Sequence, residues 1–191
     1  MPPTTENDVI ATLETVIPDL RRYARALLKD RSAADDLVQD CLVRAIESWN
    51  QRHRDGSVRA WTFAILHNLA MTRLRRSSRG PTQVPLEDAA EHHVAVAPPQ
   101  EDALRRRDLL KAMDALGEEH RTVLLLVGVE DLSYAEAAQV LGVPIGTVMS
   151  RLSRARARLT TLMSDGIRGT GWPTALMKAA APSTSFLRRV K

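Results

Sequence analysis

The stretch Leu132–Leu159, LSYAEAAQVLGVPIGTVMSRLSRARARL, decides the architecture of this 191-residue chain. It divides into two helical runs at Gly142-Val143-Pro144. Ser133 is placed to cap the first run, and Glu136, three residues on, completes a capping box. Ala137, Val140 and Leu141 give that run an apolar face. Gly142 accommodates the left-handed backbone that ends a helix, and Pro144 suits the first turn of the next. In the second run Val148, Leu152, Ala155, Leu159 and Leu162 recur at spacings of four and three, forming one apolar stripe. Arg151, Arg154 and Arg158 lie on the other face, Arg156 flanks them, and no acid occurs between Ile145 and Met163. A short helix, a glycine-containing turn and a longer basic helix read as a helix-turn-helix with its second helix in the major groove. A helical hairpin with a solvated basic face is the plainer alternative. Uncompensated arginines at helical spacing resemble a phosphate footprint more than a generic surface.

Working outward, the composition favours helix throughout, because leucine, alanine and arginine dominate. Lys+Arg number 27 against 23 Asp+Glu, a net charge of +4 whose distribution matters more than its size. Acid gathers at Asp35, Asp36 and Asp40 and from Glu87 to Glu101. Base gathers from Arg73 to Arg79, in the second helical run and at the C-terminus. That asymmetry suits a nucleic-acid partner together with at least one protein partner. The single Cys41 excludes an internal disulfide framework and reads as a small buried residue within a helical pattern. No nucleophile–base pair, phosphate loop or metal-ligand spacing is visible, so neither enzyme activity nor a cofactor is expected. No signal peptide or long apolar run is present, so a cytoplasmic protein without membrane insertion is expected.

In chain order, a helix or helix pair covers about Val9 to Leu28, interrupted near Pro18, with Leu20, Tyr23, Ala24, Leu27 and Leu28 apolar. Ser32 is expected to cap a second helix, with Asp35 at the capping-box position. That helix runs to about Trp49 and buries Leu37, Val38, Cys41, Leu42, Ala45 and Ile46. It leaves Asp35, Asp36, Gln39 and Asp40 on or beside an exposed side. Acids suit a helix N-terminus, but Asp40 lies too far along for that explanation. After the polar loop from Asn50 to Ser57, Ser57 can cap a third helix to about Arg76, with Trp61, Ile65, Leu66, Leu69 and Leu74 as core. His67 reads as structural, and Asn68, a poor mid-helix residue, as placed for hydrogen bonding. Residues 80–100 form a linker. Helix resumes from Glu101 to Leu116, with Leu104, Leu109, Met113 and Leu116 as core, then from Glu118 to Gly128. A tail follows Met163, with a possible short helix at Thr174–Ala181. The expected fold is all-α: two small helical bundles joined by a linker, the second containing the helix-turn-helix.

Three segments in this order, DDLVQD (35–40), RAWTFAILHNLAMTRLRR (59–76) and the opening stretch, resemble the extracytoplasmic-function (ECF) RNA polymerase sigma factors from about Pro18 to Leu162. The resemblance implies domain two at 8–79, the linker at 80–100, domain four at 101–163 and a tail at 164–191. It implies that Asp35, Asp36, Gln39 and Asp40 dock on the β′ clamp of core RNA polymerase, which also engages the factor through its β subunit. A basic coiled-coil partner would complement those acids. The loop His53–Ser57 with Trp61 and Asn68 would melt and read the minus-10 element, with Arg73, Arg75 and Arg76 on phosphates. Thr147, Ser150, Arg151, Ser153, Arg154 and Arg158 would face the minus-35 duplex. Within the helix, Arg154 is expected at a base or groove edge, Arg151 on phosphate, and Arg158 on phosphate or in protein packing. Met149, Ser153 and Met71 depart from residues common in relatives, which bears on promoter sequence. An anti-sigma factor is the expected regulator, in a stress or envelope response. A sigma mimic that binds the anti-sigma factor instead of DNA is the main competing reading, with an ordinary helix-turn-helix regulator behind it.

Overall fold

Pro18 divides the N-terminal helical stretch without breaking it. In the computed structural model, which describes residues 6–52, 56–77 and 100–166, α1 spans Glu6–Glu14 and α2 spans Ile17–Leu28. Pro18 lies in the first turn of α2, where its missing N–H forfeits no intrahelical bond. Lys29 ends α2 with a left-handed backbone (φ 61°), its N–H donating to the Arg25 carbonyl at 3.0 Å. That reversal delivers Asp30 in extended conformation, and Asp30, not Ser32, caps α3 (Arg31–Glu47), its carboxylate accepting from the Ala33 N–H at 2.8 Å. Ser32 is thereby displaced into the first turn. Asp35 consequently has no capping-box role; it accepts instead from Arg25 at 3.1 Å.

A short 3₁₀ turn, Trp49–Gln51, leads out of α3. Ser57 caps α4 (Val58–Ser77) as expected, accepting from the Ala60 N–H at 3.2 Å. The first bundle closes on Leu20, Tyr23, Leu27, Leu37, Cys41, Phe63, Leu66 and Ala70. Ile46 was expected inside but is 49% exposed, because Cys41 and Ala45, a full turn apart, hold the seam and the next residue points about 100° away from it. Trp61 is half-buried, edge-on to Trp49 at 5.9 Å, while Ile65, Leu69 and Leu74 are partly buried at the core's edge. Phe63 and Met71, absent from the expected core of this helix, are buried.

The second bundle comprises α5 (Gln100–Asp114), α6 (Glu118–Leu124), α7 (Tyr134–Leu141) and α8 (Ile145–Gly166). The helix expected to run to Gly128 widens after Leu124 into a π turn, Leu125–Val129. The Glu130 N–H bonds back to the Leu125 carbonyl at 2.9 Å, five residues earlier, and Asp131 follows at φ 53°. The capping box forms as read: Ser133 Oγ accepts from the Glu136 N–H (3.2 Å) and Glu136 accepts from the Ser133 N–H (3.0 Å). Gly142 takes φ 63°, and α8 buries Val148, Leu152, Ala155 and Leu159 against α6 and α7. Leu104 was expected in this core but is exposed; Leu116 is buried, and Leu109 and Met113 are partly buried. Among the described residues there is no strand. The linker 80–99, residues 53–55, Arg79 and the tail with its expected helix at 174–181 lie outside the described residues.

The two bundles touch. α4 packs along α7, and α2 meets the π turn, so residues from both bundles belong to one continuous apolar cluster. Within the first bundle His67 is buried and shares a hydrogen bond with the Tyr23 hydroxyl at 3.1 Å. Burial, with Arg75 nearby, lowers its pKa from 6.5 to about 4. Between those values the unfolded chain binds a proton that the folded chain does not. Stability is therefore complete above the unfolded pKa of 6.5 and falls as pH drops toward 4. The loss through His67 alone should approach roughly 3 kcal/mol. Urea unfolding followed by tryptophan fluorescence at several pH values checks this: the midpoint should fall across that window, and less steeply in His67→Gln.

Candidate protein-docking and nucleic-acid interfaces

The acidic segment of α3 separates into two environments. Asp35 lies between Arg25 (3.1 Å) and Arg21 (3.8 Å) of α2, so part of its charge is met internally. Asp36, Gln39 and Asp40 are exposed. Asp36, Asp40 and Val43 follow at four and three residues, as do Gln39, Val43 and Ile46, so an exposed apolar strip borders the acids. The sequence reading missed Val43 and placed Ile46 inside. An apolar strip edged with acid is the composition of a protein-docking surface rather than of a merely solvated helix.

On α4, Trp61, Ile65, Asn68 and Thr72 share one stripe by the same spacing. Asn68 is exposed, and Trp61 stands on Trp49, over which the Arg52 guanidinium lies at 4.8 Å. An aromatic platform with an exposed amide one stripe along can stack and hydrogen-bond an unpaired base. Arg73 is partly committed within the protein, donating to the Ala33 carbonyl at 3.1 Å and standing 4.0 Å from Asp36. The structure thus joins a residue assigned to phosphate and one assigned to a protein partner. Arg75 and Arg76 are exposed in the last turn of α4.

On α8, Arg151, expected on phosphate, and Arg154, expected at a base or groove edge, stand in different surroundings. Arg151 is half-buried and donates to Glu119 of α6 at 2.9 Å. Arg154 is exposed and lies along its own helix, its Nε donating to the Ser150 carbonyl at 3.2 Å, while the Ser150 hydroxyl donates to the Thr147 carbonyl at 3.0 Å. Ser150, Ser153 and Arg158 are exposed and Thr147 is partly so. Ile145 and Met149, one turn apart at the start of the helix, are also exposed. Their flank carries apolar surface beside the cationic one.

A fourth cluster was not found from sequence. Glu130, at the end of the π turn, is 1% exposed. Arg22 of α2 forms a two-pronged pair with it, Nε donating to Oε1 at 2.8 Å and the terminal nitrogen donating to Oε2. Arg59 of α4 approaches Oε2 at 3.6 Å. Asp19 of α2 bridges the two guanidinium groups, 2.9 Å from each. The Arg22 pKa is raised, first by its hydrogen bond to Glu130. Beside this cluster the Glu136 carboxyl is held below its ordinary value, chiefly by the Ser133 hydroxyl, with Ser57 and Arg59 of the other bundle contributing. Lys29 and Asp114 add an exposed pair at 2.8 Å. No periodicity marks Glu130 in the sequence; its charge after an apolar run was the sole signal. Among the described residues there is no group that could hold a metal ion, and no helix is long and apolar enough to cross a membrane.

Comparison with known proteins bears directly on these surfaces. Residues 11–67 match the family model of the Sigma2 domain of PhyR, and residues 106–159 match Sigma-70, region 4. The chain is 33% identical to the ECF RNA polymerase sigma factor EcfG of Rhodopseudomonas palustris, over 86% of this chain and 88% of that protein. It is 35% identical to the ECF RNA polymerase sigma factor SigM of Mycobacterium tuberculosis, over 80% of this chain and 74% of the relative. The sigma factor RpoE of Bartonella quintana, solved in complex with the anti-sigma factor NepR, superposes with a TM-score of 0.66 at 33% identity, covering 82% of this chain and 97% of that one. The helix-turn-helix bundle, the acid-edged α3 and the aromatic–amide stripe of α4 thus stand in a chain that belongs to the family of ECF RNA polymerase sigma factors.

Proposed function

We propose that this sigma factor docks on core RNA polymerase through α3, reads the minus-10 element through α4 and reads the minus-35 element through α8. The observation that carries the reading is the separation of three chemically distinct exposed surfaces on two helical bundles of one chain. Asp36, Gln39 and Asp40, with Val43 and Ile46 beside them, suit the basic coiled coil of the β′ clamp; Asp35 contributes less because Arg25 already pairs with it. Trp61 and Asn68 receive an unstacked base, and Arg75 and Arg76 hold phosphate beside it. Arg73 joins them only by leaving Asp36. Ser150, Ser153 and Arg154 face base edges in the duplex, Thr147 and Arg158 the backbone. The domain limits 8–79 and 101–163 follow from the same assignment. The protein works in the cytoplasm with polymerase and in a stress response, under an anti-sigma factor; the last is supported by the similar RpoE of Bartonella quintana, solved in complex with the anti-sigma factor NepR.

A second reading rests on the first bundle's match to PhyR. In it the chain would sequester an anti-sigma factor instead of binding promoters. In-vitro transcription with purified core polymerase separates the two. Promoter-dependent RNA from this chain as sole specificity subunit supports the sigma reading, and its absence across a promoter library overturns it.

Reversing both Asp36 and Asp40 to Lys should abolish core binding without loss of helix, since exposed charges contribute little to stability. Unchanged core affinity with normal circular dichroism would remove α3 from the polymerase interface. Asn68→Ala should lower open-complex formation, read by permanganate footprinting, more than closed-complex binding, because an extruded base exists only after melting. On α8, Arg154→Ala should cost about 1–3 kcal/mol and relax specificity at one base pair. Arg151 is held by Glu119, so Glu119→Gln should release it toward phosphate and steepen the salt dependence of duplex binding by about one unit. Titration against duplexes altered one position at a time reads both effects.

A further inference from the structure

Two apolar residues of α8 take no part in the core. Ile145 is 47% exposed and Met149 50%, although the same helix buries Val148, Leu152, Ala155 and Leu159. At about 100° per residue, the side of the helix opposite that buried stripe carries three small residues, Gly146, Ser150 and Ser153. A Cβ at Gly146 would meet nothing within 4 Å, and both serines are exposed. Small side chains on the outermost line let a helix axis approach the floor of a groove closely. The longer side chains then stand to either side, Arg154 on one flank and Met149, with Ile145 one turn before it, on the other. The half-buried Arg156 follows on the Met149 flank about two turns on, and no acid occurs between Ile145 and Met163. The apolar strip of α3 is edged with acid, which repels a duplex. This one is edged with hydroxyls and arginine, which a duplex attracts.

We infer that Met149, backed by Ile145, is a specificity-determining contact of this helix: it receives the C5-methyl group of a thymine and so selects an A·T pair close to the pair read by Arg154. The inference rests on the assignment of α8 to the minus-35 element made above. In the major groove a thymine offers O4 as an acceptor and its methyl group as the apolar feature. The methyl group lies nearer the thymine's own backbone than O4 does. A helix flank that leans on the groove wall therefore meets methyl groups first and phosphate beyond them, the order in which Met149 and Arg156 follow along α8. An unbranched, polarisable thioether adapts to such a surface better than a branched side chain. Met149 and Arg154 are five residues apart, about 7.5 Å along the helix axis, against roughly 3.4 Å per base pair. For a helix lying along the groove, the two contacts fall about two base pairs apart.

The test uses holoenzyme reconstituted from the full chain and core polymerase, which selects bound duplexes from a library randomised across both promoter elements. The selected minus-35 sequence should carry a thymine, on one strand, about two base pairs from a pair whose preference is lost in Arg154→Ala. Replacing that thymine by deoxyuridine removes one methyl group and leaves every hydrogen-bonding group in place. The replacement should weaken binding by the unaltered holoenzyme about fourfold, the factor for returning one methyl group to water. Met149→Ala should lose the same factor on the thymine duplex and bind the thymine and deoxyuridine duplexes alike. Met149→Leu, which keeps an apolar side chain, should keep the discrimination, and so should Arg154→Ala. The inference is overturned if no selected thymine responds to the loss of its methyl group, or if Met149→Ala still tells thymine from deoxyuridine. A loss in Met149→Ala that is equal on every duplex, or that appears on core polymerase without DNA, gives the strip to a protein partner and overturns it as well. Failure of the underlying assignment reads differently: a holoenzyme that selects no minus-35 sequence removes α8 from promoter reading and the inference with it. Selection that depends on Arg154 but ignores the methyl group removes Met149 alone.

Discussion

The arrangement of this molecule depends on one buried carboxylate. Glu130 is carried to the surface of its bundle by a π turn, in which the backbone closes a wider ring and turns the next residue aside. Without Arg22 that carboxylate would need water. With Arg22 and Arg59 it is satisfied inside an interface, where the two prongs of Arg22 meet both of its oxygens. The apolar contact between α4 and α7 supplies attraction but little direction, since dispersion and burial tolerate sliding. The charged cluster supplies direction. It adds less net stability than its short distances suggest, because desolvation offsets much of the attraction.

Arginine carries two roles in this protein, and exposure separates them. Arg22, Arg25, Arg59 and Arg151 are engaged with acids of the chain itself, and Arg73 partly so. Arg154, Arg158 and Arg76 are exposed on the faces assigned to DNA. A charge count along α8 treats Arg151 and Arg154 alike, although they lie three residues apart. The difference arises because Arg151 sits at the margin of the buried stripe, where α6 presents Glu119, whereas Arg154 sits farther round the helix. The α8 surface assigned to DNA is therefore less uniformly cationic than the sequence implies. It also carries the apolar flank of Ile145 and Met149, which suits contact with thymine methyl groups.

Local signals in the sequence fared differently according to how many solutions the local geometry allowed. The capping box at Ser133 and Glu136 was legible because both partners lie in one turn and no competing cap is near. The α3 cap was misread because Asp30 and Ser32 are both competent; the left-handed exit of α2 at Lys29, a consequence of packing α2 on α3, decided for Asp30. Ile46 and Leu104 were read as core because they are apolar and near the right phase. Cys41 and Ala45 already complete the first seam, and Leu104 is left exposed on α5. Periodicity marks a stripe to within a residue or so, and a residue at its edge goes in or out according to the neighbour it meets.

The sequence by itself determined the all-α class, the helix-turn-helix with its capping box and left-handed glycine, the positions of most helices, and the family. All of these rest on interactions between residues a few positions apart, or on motifs read as strings. The tertiary structure alone decided which arginines are already occupied, that an apolar strip borders the acids of α3, and that the two bundles meet at all. Arg22 and Glu130 are 108 residues apart, Arg59 and Asp19 are 40 apart, and no periodicity relates either pair. Contacts across such separations depend on how helices close around a core, and a charged side chain's partner is chosen only once that closure brings it within hydrogen-bonding distance.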